Sequence, residues 1–334
     1  MKKFVVCLLG CAVVLGAEAQ LIIGAGSSFG YPSFTKWSEA YAAVDSAVHV
    51  NYRSVGSGAG QQLLVKETVD FGASDAPMSD ENMARTERKI LHIPVLVGGV
   101  ALTYNLPGAP KLRMDSDTIA DIYLGHIKKW NDPKLAALNP EVALPELAII
   151  PVHRSDGSGT TFIISDYLSS VNQAWRNAVG KGTAVKWPDG IGLGAKGSEG
   201  VAGQVRQIAG AIGYVELAYA DKNKMPFADV KNAAGKFISP APDSVGAALA
   251  TAKVPDDFRF SMVNAPGDLA YPIAGPSWVL VYQNQKNSET GKKLVAFLNW
   301  VVTEGQKLSP PLDYAPLPQE IQLRELQLLN TIKY

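Results

Sequence analysis

The stretch Leu21-Ile22-Ile23-Gly24-Ala25-Gly26-Ser27-Ser28-Phe29 joins a short apolar run to a turn rich in glycine and serine. Directly after it, Phe34, Trp37 and Tyr41 recur at the spacing of one helix face. A strand, a Gly/Ser turn and an amphipathic helix in this order predict a β/α unit, and therefore a protein of the α/β class.

The same pattern recurs twice. Val48–Tyr52 alternates like a strand and enters Gly56-Ser57-Gly58-Ala59-Gly60, and Ala148–Val152 leads through Arg154 into Asp156-Gly157-Ser158-Gly159-Thr160-Thr161. Open α/β sheets bind ligands beyond the carboxyl ends of their parallel strands, which is where these three turns are expected.

Each of these turns opens a helix, so its first N–H groups and the positive end of the helix dipole attract anions. Glycine lets a ligand approach the backbone, and serine and threonine add hydroxyl donors. One turn alone is explained as ordinary helix capping, but three of them beside Arg154 indicate one site for a small tetrahedral oxyanion. None of the turns is a Walker A loop or a dinucleotide fingerprint.

Arg154 follows an apolar strand and precedes the third turn, and its planar fork fits an edge of a phosphate or sulfate ion. Asp156 is a candidate to orient that fork, although a helix cap or turn explains it equally well.

Asp75 lies among small and apolar residues in Phe71-Gly72-Ala73-Ser74-Asp75-Ala76-Pro77. It is either a helix cap before Met78 or a ligand contact. An ionised carboxylate only accepts hydrogen bonds, so beside an oxyanion it demands a proton on the ligand. Phosphate carries one at neutral pH and sulfate does not, so Asp75 would exclude sulfate.

The first 19 residues have the pattern of a secretory signal peptide: Lys2-Lys3, an apolar run from Phe4 to Leu15, and Ala17-Glu18-Ala19 as cleavage site. The run is too short to span a bilayer. The mature chain is expected to begin near Gln20. As an alternative, Leu8-Leu9-Gly10-Cys11 resembles a lipoprotein box, in which Cys11 would be acylated.

Composition excludes several classes of protein. The two cysteines, Cys7 and Cys11, both lie in the leader, so the mature chain is expected to lack disulfides and cysteine-bound metal. The 31 basic and 31 acidic residues balance, which gives no electrostatic signature of nucleic-acid binding. A chain of 334 residues exceeds the usual size of one domain, so two lobes are expected.

Catalytic patterns are weak. The histidines show no metal-ligand spacing, and no Gly-x-Ser-x-Gly elbow is associated with them: His49, His92, His126 and His153. We therefore expect no metal and no cofactor. An enzyme using Ser28 or Ser158 as nucleophile, either a phosphohydrolase or a phosphotransferase, stays open as an alternative but lacks a recognisable base.

Taken together, these motifs resemble the periplasmic phosphate-binding proteins that feed ABC-type phosphate importers. The resemblance covers essentially the whole mature chain. It is carried by the three turns and by Val69–Pro77, Asp121–Gly125, Lys129–Asp132, Gly210–Glu216 and Leu312–Ala315.

The resemblance implies a type II periplasmic-binding-protein fold, with two α/β lobes joined by two hinge crossovers and phosphate in the cleft. Lobe I would comprise residues 20–105 and 271–334, and lobe II residues 106–270, after the signal peptide at 1–19. The family's phosphate contacts fall on Ser27, Ser28, Phe29, Ser57, Asp75, Arg154, Ser158, Gly159 and Thr160, with Asp156 behind Arg154. Phe29 and Gly159 would donate through their backbone N–H groups.

The implied function is that of an exported, non-enzymatic solute-binding protein, which is expected to be a monomer in the periplasm. Its partners would be inorganic phosphate and the membrane components of an ABC-type importer. A binder of another oxyanion, such as sulfate or molybdate, keeps this fold but gives Asp75 no role.

Overall fold

Residues 20–334 are described by the structure, a computed structural model, and they alternate strands with helices along most of their length. The strands are β1 (Gln20–Gly26), β2 (Val48–Ser54), β3 (Phe71–Ser74), β4 (Ile90–Tyr104), β5 (Arg113–Met114), β6 (Ile150–Arg154), β7 (Leu193–Ala195), β8 (Ala211–Glu216), β9 (Asp229–Lys231), β10 (Phe237–Ile238) and β11 (Ala274–Tyr282).

The helices are α1 (Tyr31–Tyr41), α2 (Ser57–Val65), α3 (Asp80–Met83), α4 (Ser116–Tyr123), α5 (Pro133–Leu138), α6 (Gly159–Val171), α7 (Gln173–Ala178), α8 (Gly197–Gln207), α9 (Leu217–Lys222), α10 (Pro242–Leu249), α11 (Ser288–Val302) and α12 (Gln319–Leu329). Two short 3₁₀ helices, Glu304–Leu308 and Pro310–Leu312, precede α12.

Strand β4 connects two groups of strands into one sheet, whose order within residues 20–334 is β2-β1-β3-β11-β4-β8-β6-β7. Its residues 90–99 pair antiparallel with β11, and its residues 100–104 pair antiparallel with β8. All 15 of its residues are buried. The apolar run from Ile93 to Tyr104, which the sequence predicts as a strand pair or crossover, therefore forms part of one long strand.

Parallel pairing brings the Gly/Ser turns together. β1 runs parallel to β2 and β3, and β6 runs parallel to β7 and β8. The turns after β1, β2 and β6 lead into α1, α2 and α6, as the hydrophobic patterns predict. The many glycines of the stretch 180–200 predict loops, and this prediction is wrong at the end of the stretch, where β7 and the start of α8 lie.

Four of the six tryptophans fill the core. Each is at most 1% exposed, and each indole N–H donates to a backbone carbonyl, which removes the cost of burying it. The pairs are Trp37 with Gly305, Trp130 with Gly210, Trp175 with Gly180, and Trp278 with Phe258, at 2.7–3.0 Å.

The predicted signal peptide, with Cys7 and Cys11, lies outside the described residues. Among those described, none of the helices combines the length and the apolar character needed to cross a membrane.

Candidate functional site

Asp75 lies at the centre of a buried cluster of hydroxyl groups. It follows β3 directly and is 1% exposed. The hydroxyls of Ser27 and Ser277 donate to its Oδ1 at 2.5 and 2.6 Å, and the hydroxyl of Ser57 donates to its Oδ2 at 3.2 Å. Burial raises the pKa of the Asp75 carboxyl, while these three hydrogen bonds act in the opposite direction.

Asp75 does not cap a helix. The next helix, α3, begins at Asp80, and its N-cap is Ser79, whose side chain accepts from the Asn82 N–H. The capping alternative for Asp75 before Met78 is therefore wrong, and its carboxylate is left to other partners.

Arg154 ends β6 and is held by Asp156 in a two-pronged contact. Arg154 Nε donates to Asp156 Oδ1 at 2.7 Å, and Nη2 donates to Oδ2 at 2.6 Å. Arg154 is 4% exposed. Although burial alone would raise the pKa of Asp156, the hydrogen bonds and charge of Arg154 lower it. The contact fixes the plane of the guanidinium and directs Nη1 toward Thr160 and Ser198, whose hydroxyls lie at 3.4 and 3.5 Å.

The third Gly/Ser turn presents the start of the 13-residue helix α6 to Asp75. Ser158 is the N-cap, and its hydroxyl accepts from the Thr161 N–H at 3.0 Å. The N–H groups of Gly159 and Thr160 have no acceptor within residues 20–334. A Cβ on Gly159 would lie 2.4 Å from the Asp75 Cβ and 2.6 Å from the Ser57 hydroxyl, so only glycine fits there.

Three tyrosines hold the first turn, and one of them, Tyr52, donates through its hydroxyl to the Ser27 carbonyl at 2.7 Å. Tyr219 donates through its hydroxyl to the Ser28 carbonyl at 2.8 Å, and Tyr314 donates to the Phe29 carbonyl at 2.6 Å. The Phe29 N–H has no acceptor among the described residues. The Ser28 hydroxyl lies 3.1 Å from the hydroxyl of Ser198 and accepts from the Ser198 N–H at 3.3 Å.

The second and third turns touch through their backbones. The Gly58 N–H donates to the Gly157 carbonyl at 2.9 Å. A Cβ on Gly58 would lie 3.1 Å from the Gly157 Cα, and one on Gly56 would lie 2.3 Å from an Asp156 carboxylate oxygen. Glycine at these positions therefore permits the close approach of the two turns.

All nine predicted ligand contacts thus lie in one buried region, together with Asp156. Within it, Ser27 contacts the Asp75 carboxylate and accepts from the Gly30 N–H, so its hydroxyl is already engaged.

Sequence reasoning missed Ser198, Tyr219 and Ser277. Ser198 had a usable signal, because Gly197-Ser198-Glu199-Gly200 is another Gly/Ser turn that opens a helix. No local sequence signal marks Tyr219 or Ser277, because each reaches the site through contacts between segments that are far apart in the chain.

No histidine hydrogen-bonds to a side chain of the nine predicted contacts in the described structure, although His153 adjoins Arg154 and its Nδ1 lies 3.1 Å from the Arg154 carbonyl oxygen. His92 Nε2 accepts from the Met78 N–H, and the His153 ring stacks on Trp187 with centroids 4.5 Å apart. His49 and His126 are exposed. Among residues 20–334, no group of three or more His, Cys, Asp or Glu side chains is placed to hold a metal ion. The site can therefore offer many hydrogen-bond donors, one guanidinium and one carboxylate acceptor.

Comparison with known proteins agrees with this architecture. A family model described as a PBP superfamily domain matches residues 15–304. A protein of Stenotrophomonas maltophilia, described as a phosphate binding protein, has a similar solved structure with a TM-score of 0.73. It is 19% identical, and the match covers 92% of this chain and 94% of the other. The predicted α/β fold with two lobes is confirmed.

Two relatives named phosphate-binding protein PstS show closer sequence similarity. The protein from Pasteurella multocida is 42% identical over 324 residues, covering 96% of this chain and 93% of the relative. The one from Haemophilus influenzae is 42% identical over 325 residues, covering 96% of each chain. The chain therefore belongs to the PstS family of phosphate-binding proteins.

Proposed function

We propose that this protein captures inorganic phosphate between two lobes, without chemical turnover, and delivers it to an ABC-type membrane importer. The names of its relatives and the shape of its candidate site support this proposal. The single observation that carries it is the Asp75 carboxylate, buried among groups that otherwise donate hydrogen bonds.

The physical reason lies in the proton on the ligand. Two like charges about 4 Å apart cost about 4 kcal/mol at an effective dielectric constant of 20, so an anion beside Asp75 is repelled unless a hydrogen bond offsets this. Only a protonated anion can donate that bond to a carboxylate. Phosphate at neutral pH satisfies the requirement, whereas sulfate leaves the acceptor unpaired.

The remaining roles follow from the donors around Asp75. The N–H groups of Phe29, Gly159 and Thr160 would bind ligand oxygens, as would the hydroxyls of Ser28, Ser158 and Thr160. The Ser57 hydroxyl, which donates to Asp75 Oδ2 over 3.2 Å, would turn to a ligand oxygen when phosphate binds. Arg154 would balance the ligand's charge. We propose Ser27 and Asp156 as residues that hold Asp75 and Arg154 in place.

The proposed lobes are residues 20–105 with 271–334, and residues 106–270. The contacts of Ser28 with Ser198, and of Gly58 with Gly157, would then join the lobes around the ligand. We further propose that the chain is exported, that its leader is removed near Gln20, and that it acts as a monomer.

The test is calorimetric titration of the purified protein with phosphate and sulfate at neutral pH. We expect the wild-type protein to bind phosphate and to ignore sulfate. Asp75→Asn should keep phosphate binding with modest change and admit sulfate as a competitor, because an amide can both donate and accept. Asp268→Asn, at an exposed position, is the matched control and should match the wild type.

Two results would contradict the proposal. If the wild-type protein binds sulfate as tightly as phosphate, Asp75 does not select the ligand, and a general oxyanion binder is the better description. If a chromogenic phosphate ester is turned over at a rate above that of the Ser158→Ala variant, the protein is an enzyme.

A further inference from the structure

Ser277 is a polar residue in a strand that is otherwise nearly all apolar. It lies in the middle of β11, whose nine residues are all buried, and its own exposure is 0%. The register of β11 against β4 shifts between Ser277 and Trp278. Such irregularities turn a side chain away from its regular direction. Here the Ser277 hydroxyl donates to Asp75 Oδ1 at 2.6 Å.

The two oxygens of Asp75 are unequally occupied. Oδ1 accepts from both Ser277 and Ser27, whereas Oδ2 accepts from Ser57 alone, through a longer bond of 3.2 Å. A carboxylate has about four acceptor positions, two on each oxygen. Oδ1 is therefore saturated by protein donors, and Oδ2 keeps one position.

We propose that Ser277 is a positioning residue that determines anion specificity: with Ser27 it saturates Oδ1 and leaves Oδ2 as the acceptor that the ligand's proton must meet. This inference rests on the proposed function. According to this inference, selectivity depends on which hydroxyl groups donate to each oxygen of Asp75, and not on the presence of a carboxylate alone.

The mechanism works through the ionised form of Asp75. Burial in a dry site favours the neutral acid, and hydroxyl donors favour the carboxylate. Without the Ser277 hydroxyl, the carboxylate loses one of its three side-chain donors, so the neutral acid becomes more favourable. A protonated Asp75 can donate a hydrogen bond, and an anion without a proton, such as sulfate, then becomes acceptable.

Other titratable groups face Asp75 and must be considered in a pH experiment. They are Arg154 at the end of β6, Tyr52 on β2, Glu216 on β8, and Tyr314. All of them are present unchanged in every variant described below, so differences between variants report on Asp75 and its donors.

The experiment measures the ratio of phosphate to sulfate affinity from pH 5 to pH 8 for wild type and Ser277→Ala. We expect the ratio to fall about tenfold or more in the variant, the weight of one hydrogen bond to a charged group. The loss of selectivity on acidification should also begin at a higher pH, because the missing donor raises the pKa of Asp75 further.

Ser74→Ala is the matched control. Ser74 is also 0% exposed and precedes Asp75, but its hydroxyl donates to the Ala76 carbonyl and not to the Asp75 carboxylate. The Ser74→Ala variant should therefore leave the ratio of phosphate to sulfate affinity and its pH profile unchanged. If Ser277→Ala does not fold, as judged by its melting curve, Ser277→Cys keeps a side chain of similar shape with a weak donor and should shift the ratio in the same direction.

A double-mutant cycle separates positioning from loosened packing. If Ser277 acts through the Asp75 carboxylate, adding Ser277→Ala to Asp75→Asn should change the ratio by less than about twofold. An equal shift in the Asp75→Asn background, or the same shift in Ser74→Ala, would overturn the inference while phosphate binding by the wild type still stands. If the wild type fails to bind phosphate, the proposed function fails first and the inference with it.

Discussion

Arg154→Ala is expected to weaken phosphate binding strongly. Removing one member of a buried, hydrogen-bonded charge pair costs about 2–5 kcal/mol, which is roughly a 30-fold to 4,000-fold increase in Kd. The structure favours the upper half of that range. The substitution removes a guanidinium that is 4% exposed, and it also leaves the partly buried Asp156 carboxylate with the Gly197 N–H as its remaining donor and no positive charge beside it.

The contribution of Asp156 can be measured separately. Adding Asp156→Asn to Arg154→Ala should recover part of the lost affinity, because it removes a negative charge that no longer has a positive partner. Arg206→Ala is the control: Arg206 is exposed and bonds to Asn223, so calorimetry should show the wild-type Kd. A loss below about 0.5 kcal/mol in Arg154→Ala would show that Arg154 does not contact the ligand, since even a neutral hydrogen bond is worth as much.

Three further predictions concern closure, stability and export. Gly58→Ala should weaken phosphate binding by about tenfold in a calorimetric titration, because overpacking against Gly157 costs about 1–3 kcal/mol. Gly203→Ala is the control: nothing lies within 4 Å of its new Cβ, so it should bind phosphate as the wild type does. Glu216→Gln should raise the free energy of unfolding, measured by urea titration, more at pH 8 than at pH 4. Burial raises the pKa of Glu216 in the folded protein, so the wild-type glutamate destabilises the fold increasingly as the pH rises above its pKa in the unfolded chain. An equal change at both pH values would refute this. The intact mass of the exported protein should correspond to a start near Gln20, whereas an acylated cysteine would identify a lipoprotein.

Local pattern was sufficient for much of the fold. The three Gly/Ser turns, the apolar strands before them and the amphipathic helices after them are all properties of short segments, and the structure has these elements where the pattern predicts them. Gly125 lies two residues after the end of α4 and has a positive φ of 77°, a conformation that glycine adopts without strain.

Long-range pairing was beyond the same reasoning. Ser277 and Asp75 are 202 positions apart, and they meet because β11 inserts between β3 and β4. Nothing in the residues around Ser277 distinguishes it from an ordinary serine in a buried strand. The run that forms β4 was ambiguous for a related reason, since a continuous apolar segment has no periodicity that separates one long strand from two short ones.

The sharing of β4 by the two groups of strands has a consequence for how the protein unfolds. Residues 90–99 depend on β11 for their hydrogen bonds, and residues 100–104 depend on β8, yet both segments belong to one fully buried strand. If either group melts, part of β4 loses its partners and exposes unpaired backbone groups at the boundary with the other group, which carries a free-energy cost. We therefore expect the two groups to be thermodynamically coupled, so that the molecule unfolds as one cooperative unit rather than as two domains in succession.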